Sequence, residues 1–162
     1  MHDFANWLYY SSASETIQNV SWIIPATQTV HILSIAIFFT SILMIVLRAM
    51  GLAAREQSLQ QVADRFMPWA WGAALLLLLS GLVLILGEPT RELLNPAFWA
   101  KMALVLMVVI AFWQLQVRLP AFDKPAGVTA VTAPQVLVSV AIMAALCVVI
   151  FLGRWIAYTQ PF

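Results

Sequence analysis

Two side chains stand out as able to do chemistry within long apolar runs, His31 and Lys101. An ionisable group in hydrocarbon is costly and normally faces a bundle interior, so each is a functional candidate by default. A neutral imidazole ligates metal or haem iron and exchanges protons near neutrality. An ammonium pairs with a carboxylate, a propionate or another anion. Around the histidine, Thr27, Gln28, His31, Ser34, Phe38 and Ser41 recur at intervals of three or four, which draws one polar stripe down one face of a helix. Three readings of His31 follow: interhelical packing and hydrogen bonding, ligation of haem or copper with Gln28 nearby, or proton transfer. Lys101 either snorkels to the interface along its four-carbon stem beside Trp99 or turns inward to compensate an anion. Arg154 and Glu88 either anchor the interface or reach the same mouth.

The supply of donors limits this chemistry. The chain has two histidines and one cysteine. A bis-histidine haem within one chain would need His2, so haem implies five-coordinate iron, a Met partner or a second protomer's histidine. Cys147 sits in an apolar run and reads as a small buried hydrophobe. No HExxH, Ser-His-Asp set, phosphate loop or paired intramembrane carboxylate occurs, which leaves hydrolase and kinase chemistry without residues.

The elements that must position these groups are membrane helices. Of 162 residues, 63% are hydrophobic and 9% charged, where soluble domains carry about 25%. The formal net charge of +1 offers no cationic field for nucleic acid. Apolar stretches at about residues 25–47, 68–87, 96–117 and 134–158 each suffice to cross a bilayer, with Pro25, Pro68, Pro96 and Pro134 at their N-terminal boundaries. The expected fold is all-α: an integral membrane four-helix bundle, a single transmembrane domain over residues 1–162, with a short N-terminal interfacial helix within residues 3–20. A second interfacial segment is expected at residues 52–66, and residues 119–133 read as a loop.

Arg48, Arg55 and Arg65 flank the first loop, and Arg118 and Lys124 the third. By the positive-inside rule these loops are cytoplasmic and both termini periplasmic. The N-terminus lacks a signal-peptide pattern and is expected to stay on the mature protein. At 1.5 Å per residue, His31 lies about 9 Å inside Pro25 and Lys101 about 7 to 8 Å inside Pro96. Both helices run inward, so the two groups share a depth in the outer half of the bilayer. Trp22 and Trp155 outside, and Trp69 and Trp71 inside, read as interfacial anchors. Ser80 and Gly81 mark a close helix contact, and Trp113, Gln114 and Gln116 suit a polar inner vestibule.

The segments SASETIQNVSWIIPATQTVHILSIAIFF, VLRAMGLAAR, DRFMPWAWGAALLLLLSGLVL and NPAFWAKMALVLMVV, spanning residues 12–109, resemble an uncharacterised family of small four-helix bacterial inner-membrane proteins. The resemblance rests on His31, Pro68-Trp69 and the Asn-Pro-x-Phe-x-x-Lys-Met run from Asn95 to Met102. It departs at Val46, where that family carries an acidic residue. A more distant likeness is to membrane proteins of the copper-resistance D type and to the haem-binding protoporphyrinogen oxidase, which also pair an early His with a later Lys. That likeness implies b-type haem or copper near the outer leaflet. The expected function is therefore cofactor binding or redox association, with His31 as ligand and Lys101 and Arg154 compensating anionic groups. The alternatives are a small-solute binding or transport module and a non-catalytic subunit of a larger membrane complex. Partners are the lipid bilayer and a homo-oligomer or larger membrane assembly.

Overall fold

The computed structural model describes residues 2–122 and 133–155. Among these there are seven helices and no strand: α1 (His2–Tyr9), α2 (Ser12–Asn19), α3 (Ile23–Ala49), α4 (Leu59–Gly87), α5 (Pro89–Leu93), α6 (Pro96–Phe122) and α7 (Ala133–Trp155). Three of the described helices are long and apolar enough to cross a membrane, over Ile23–Ala49, Leu59–Gly87 and Pro96–Gln114. The fourth expected span corresponds to α7, apolar over Val140–Trp155, and its last residues lie outside the described ones.

Local chemistry sets the helix ends. Helix α3 stops at Gly51, whose φ of 69° suits a residue without a Cβ. The amides of Gly51 and Leu52 return to the carbonyls of Arg48 and Leu47 at 2.9 and 2.8 Å, which is the Schellman pattern. Helix α4 begins nine residues before the expected Pro68 boundary because Ser58 and Gln61 form a capping box. Each satisfies an amide of the other that the first turn leaves free. Pro68 therefore lies within the helix, and the expected interfacial segment at 52–66 divides into a turn and the first two turns of α4. The N-terminal segment is two helices rather than one, since the Ser11 side chain caps α2 by accepting from the Ser14 amide.

Helices α3 and α4 form the most extensive contact, and the core they share with α6 and α7 is centred on Ile42, Ile45, Val62, Ala70, Phe112 and Ile142. Val46, where the resembled family has an acid, is 3% exposed within this core. An unpartnered carboxylate there would be costly; Val46 fills the space with hydrocarbon. Outward-facing positions on the long helices carry exposed Leu, Ile and Val, as a lipid-facing surface requires.

The short helices gather at the end of the bundle that is periplasmic in the expected orientation, called outer below. Helix α1 packs on α5, and α2 on α4. Ser14 is fully buried, and its hydroxyl donates to the Leu86 carbonyl at 2.6 Å, supplying a partner for an acceptor in the last turn of α4. A Cβ on Gly87 would stand 3.3 Å from Ile24 Cδ1 and 3.5 Å from Ile17 Cγ2, so this glycine lets α2 and α3 close on α4. Ser14→Ala is expected to strand the Leu86 carbonyl at a cost of about 1 to 2 kcal/mol. Hydrogen exchange should then quicken in α2 before the long helices open; unchanged protection there would contradict the anchoring role.

Candidate functional site

The polar stripe of α3 faces the bundle as expected: Ser34, Phe38 and Ser41 are buried and His31 half-buried. Nδ1 of His31 lies 2.7 Å from the Ser80 hydroxyl of α4. That hydroxyl is also 2.5 Å from the Leu76 carbonyl, a separation that two oxygens tolerate only with a proton between them. A serine has one proton, and Leu76 takes it. Ser80 must therefore accept from Nδ1–H, which leaves the lone pair of His31 on Nε2. Gly81 stands beside the ring, and a Cβ there would lie 3.7 Å from His31 Cε1. The close helix contact expected at Ser80 and Gly81 is thus the seat of the imidazole.

Lys101 turns inward. The Asn-Pro motif sets its position, for the Asn95 side chain accepts from the Ala97 amide at 2.9 Å and Pro96 occupies the first helical position, where its missing N–H costs nothing. One turn on, Phe98 is buried and fixes the rotation of α6. The Lys101 ammonium then lies 3.9 Å from where a Cβ of Gly153 on α7 would be. A larger residue at 153 would crowd it. The ammonium is near enough for its charge to act on both His31 and Glu92.

Glu92, in α5, was not legible as part of this site. The ion pair at this end joins Arg91 to Glu88, and Glu92 is the carboxylate whose field reaches Lys101. Burial pushes the Glu92 carboxyl above the ordinary glutamate range; Lys101 and Arg91 pull it down, and Glu88 pushes it up. A raised carboxyl pKa means that the folded state holds the proton more tightly than the unfolded chain. The contribution of Glu92 to stability is therefore complete below the unfolded value of about 4.3 and lost as pH rises through the higher folded value. Glu92→Gln is expected to flatten this segment of the stability profile, measured by thermal unfolding in detergent from acidic to neutral pH. An unchanged slope would show that Glu92 is not held in this environment.

The other expected site residues lie further out. Gln28 is exposed, whereas Thr27, its neighbour on the stripe, is half-buried. Arg154 follows Gly153 and is exposed. Trp22 and Trp155 are exposed beside the start of α3 and in the last described turn of α7, and Trp69 is exposed within α4, one residue after Pro68. Trp71 is half-buried, and its indole N–H donates to Gln116 Oε1 at 2.9 Å.

The arrangement offers one oriented lone pair, one ammonium close enough to act on it, and a carboxylate close enough to act on the ammonium. Among the described residues, no group of three His, Cys, Asp or Glu side chains could hold a metal ion. One imidazole and one ammonium are groups that could hold an iron and a propionate of haem. Residues 6–159 match a family of unknown function, DUF6644. No curated protein and no solved structure matches the chain, so the likeness to the copper-resistance D type and to protoporphyrinogen oxidase rests on the sequence pattern alone.

Proposed function

Because the chain belongs to the DUF6644 family, over nearly its whole length, and that family has no known function, the residues themselves must supply the reading, and we propose that this is a bacterial inner-membrane protein that binds b-type haem. It is a single transmembrane domain with both termini in the periplasm and its site in the outer half of the bilayer. The observation that carries this reading is the His31–Ser80 pair. A ligating histidine characteristically donates its other ring N–H to an oxygen, which fixes the tautomer and ring orientation, and the Ser80 hydroxyl, 2.7 Å from Nδ1, is placed to accept it. His31 Nε2 would hold the iron and Lys101 a propionate. Bound haem would supply one-electron redox chemistry.

The chain's own residues do the rest. Ser80 orients the imidazole, Gly81 leaves room beside it, and the long apolar helices exclude water, which strengthens the attraction between the ammonium and an anion. With His2 in the terminal helix, a sixth ligand would come from a methionine or from a second copy of the chain.

A second reading uses the same two groups. A small carboxylic acid could accept from the Lys101 ammonium and donate to Nε2 when protonated, as a solute-binding module would require. The two readings separate in one preparation, purified in mild detergent after expression with haem precursor. A Soret band with stoichiometric haem supports the first. Absence of haem with saturable thermal stabilisation by short carboxylic acids supports the second. Neither signal would overturn both.

A further inference from the structure

At the opposite end of the bundle, α4 and Gln116 of α6 border an open cavity of about 300 Å³ lined chiefly by Gln60, Asp64, Met67, Pro68, Trp71 and Gln116, of which Asp64, Pro68 and Gln116 are exposed. The hydrogen bonds around it are particular. The Trp71 indole N–H is committed to Gln116 Oε1 at 2.9 Å, and its ring packs on Phe112 with centroids 5.6 Å apart. The indole is thus held in place as part of the cavity lining. Gln60 Nε2 donates to Asp64 Oδ1 at 2.8 Å, which orients the carboxylate and leaves its second oxygen for another donor. Pro68 has no N–H for the Asp64 carbonyl one turn earlier, so that acceptor lacks its helical partner as well.

We propose that this cavity binds an organic ammonium group. A carboxylate with one oxygen already oriented and a fixed indole beside it are the groups that recognise such a cation, by charge-assisted hydrogen bonds and by attraction to an aromatic ring. The amide NH₂ of Gln116 remains as a donor for an oxygen attached to the same molecule. The cavity lies beside Asp64 and Arg65, near the expected cytoplasmic surface, where aminophospholipid headgroups and soluble amines both present this chemistry. The site shares no residue with the His31 cluster and stands independently of the haem reading.

Native mass spectrometry of the full chain, from detergent containing equal phosphatidylethanolamine and phosphatidylglycerol, tests this directly. The expected result is preferential retention of phosphatidylethanolamine, with about tenfold weaker binding for Asp64→Asn, an isosteric change worth about 1.4 kcal/mol. Trp71→Leu should weaken it too. Thermal unfolding with free ethanolamine distinguishes the sources: stabilisation by ethanolamine assigns the site to the ammonium alone, and its absence alongside lipid retention assigns it to the headgroup. Equal retention of both lipids by the wild-type chain with no stabilisation by ethanolamine would overturn the proposal, as would wild-type retention in both variants.

Discussion

Replacing His31 by alanine is expected to abolish haem binding, seen as loss of the Soret band, while the protein still folds. The two halves of this expectation have separate causes. The imidazole is the sole histidine within the apolar spans, so its removal takes away the side chain that would hold the iron in the haem reading. Folding is spared because Ser80 keeps its own proton on the Leu76 carbonyl and loses only a donor to one of its lone pairs. That costs about 1 kcal/mol or less. Ser80→Ala tests the orientation argument: the ligand remains, but its ring is no longer held, and affinity should fall about 10- to 100-fold. A His31→Ala protein with an unaltered spectrum would show that the chromophore is held elsewhere.

The largest loss of stability is expected for Phe112→Ala. Phe112 is 1% exposed and meets Phe38 of α3 and Trp71 of α4 edge-on or tilted, with centroids 6.0 and 5.6 Å away. It brings α6 into ring contact with both helices of the main pair. In a bilayer the hydrophobic effect does not separate buried from lipid-facing rings, so the loss is of packing and of ring contacts. A cost of about 3 kcal/mol, the lower end for such truncations in soluble cores, is expected. Leu106 of the same helix is 61% exposed, and Leu106→Ala should cost well under half as much. Thermal unfolding of the two variants in one detergent checks the ranking; equal losses would contradict the burial pattern.

The long helices were legible because an apolar run of span length has few alternatives in a chain with so few charges. Their ends were legible only where the chemistry was unambiguous, as at Gly51 and Asn95-Pro96. Pro68 misled because proline is commonest in a first helical turn, while the capping pair Ser58 and Gln61 sits in a polar stretch that periodicity alone leaves unassigned. The run Ser11, Ser12 and Ser14 holds several possible caps, so the break between α1 and α2 was hidden.

At the site, a stripe of threes and fours selects Thr27 and Gln28 equally, because they are 100° apart on the same turn. Only the packing of α4 decides which faces inward. Glu92 escaped for a related reason: it belongs to a five-residue helix, too short for any periodic signal, and approaches Lys101 only because α5 folds back over the start of α6. The signal that was present lay in the pairing of Asn95-Pro96 with Lys101, which sets the depth at which an acid would have to lie. Trp71 shows the limit of composition. A tryptophan near a span boundary reads as an anchor, yet its N–H partner was Gln116, forty-five residues away.

The haem reading is tested most directly by an absorption titration of the purified wild-type chain with haem b in mild detergent. It predicts a saturating Soret shift at a fixed ratio of haem to chain, absent in His31→Ala and present with lower affinity in Lys101→Ala. A non-saturating shift, or one of equal size in the His31→Ala protein, would contradict it.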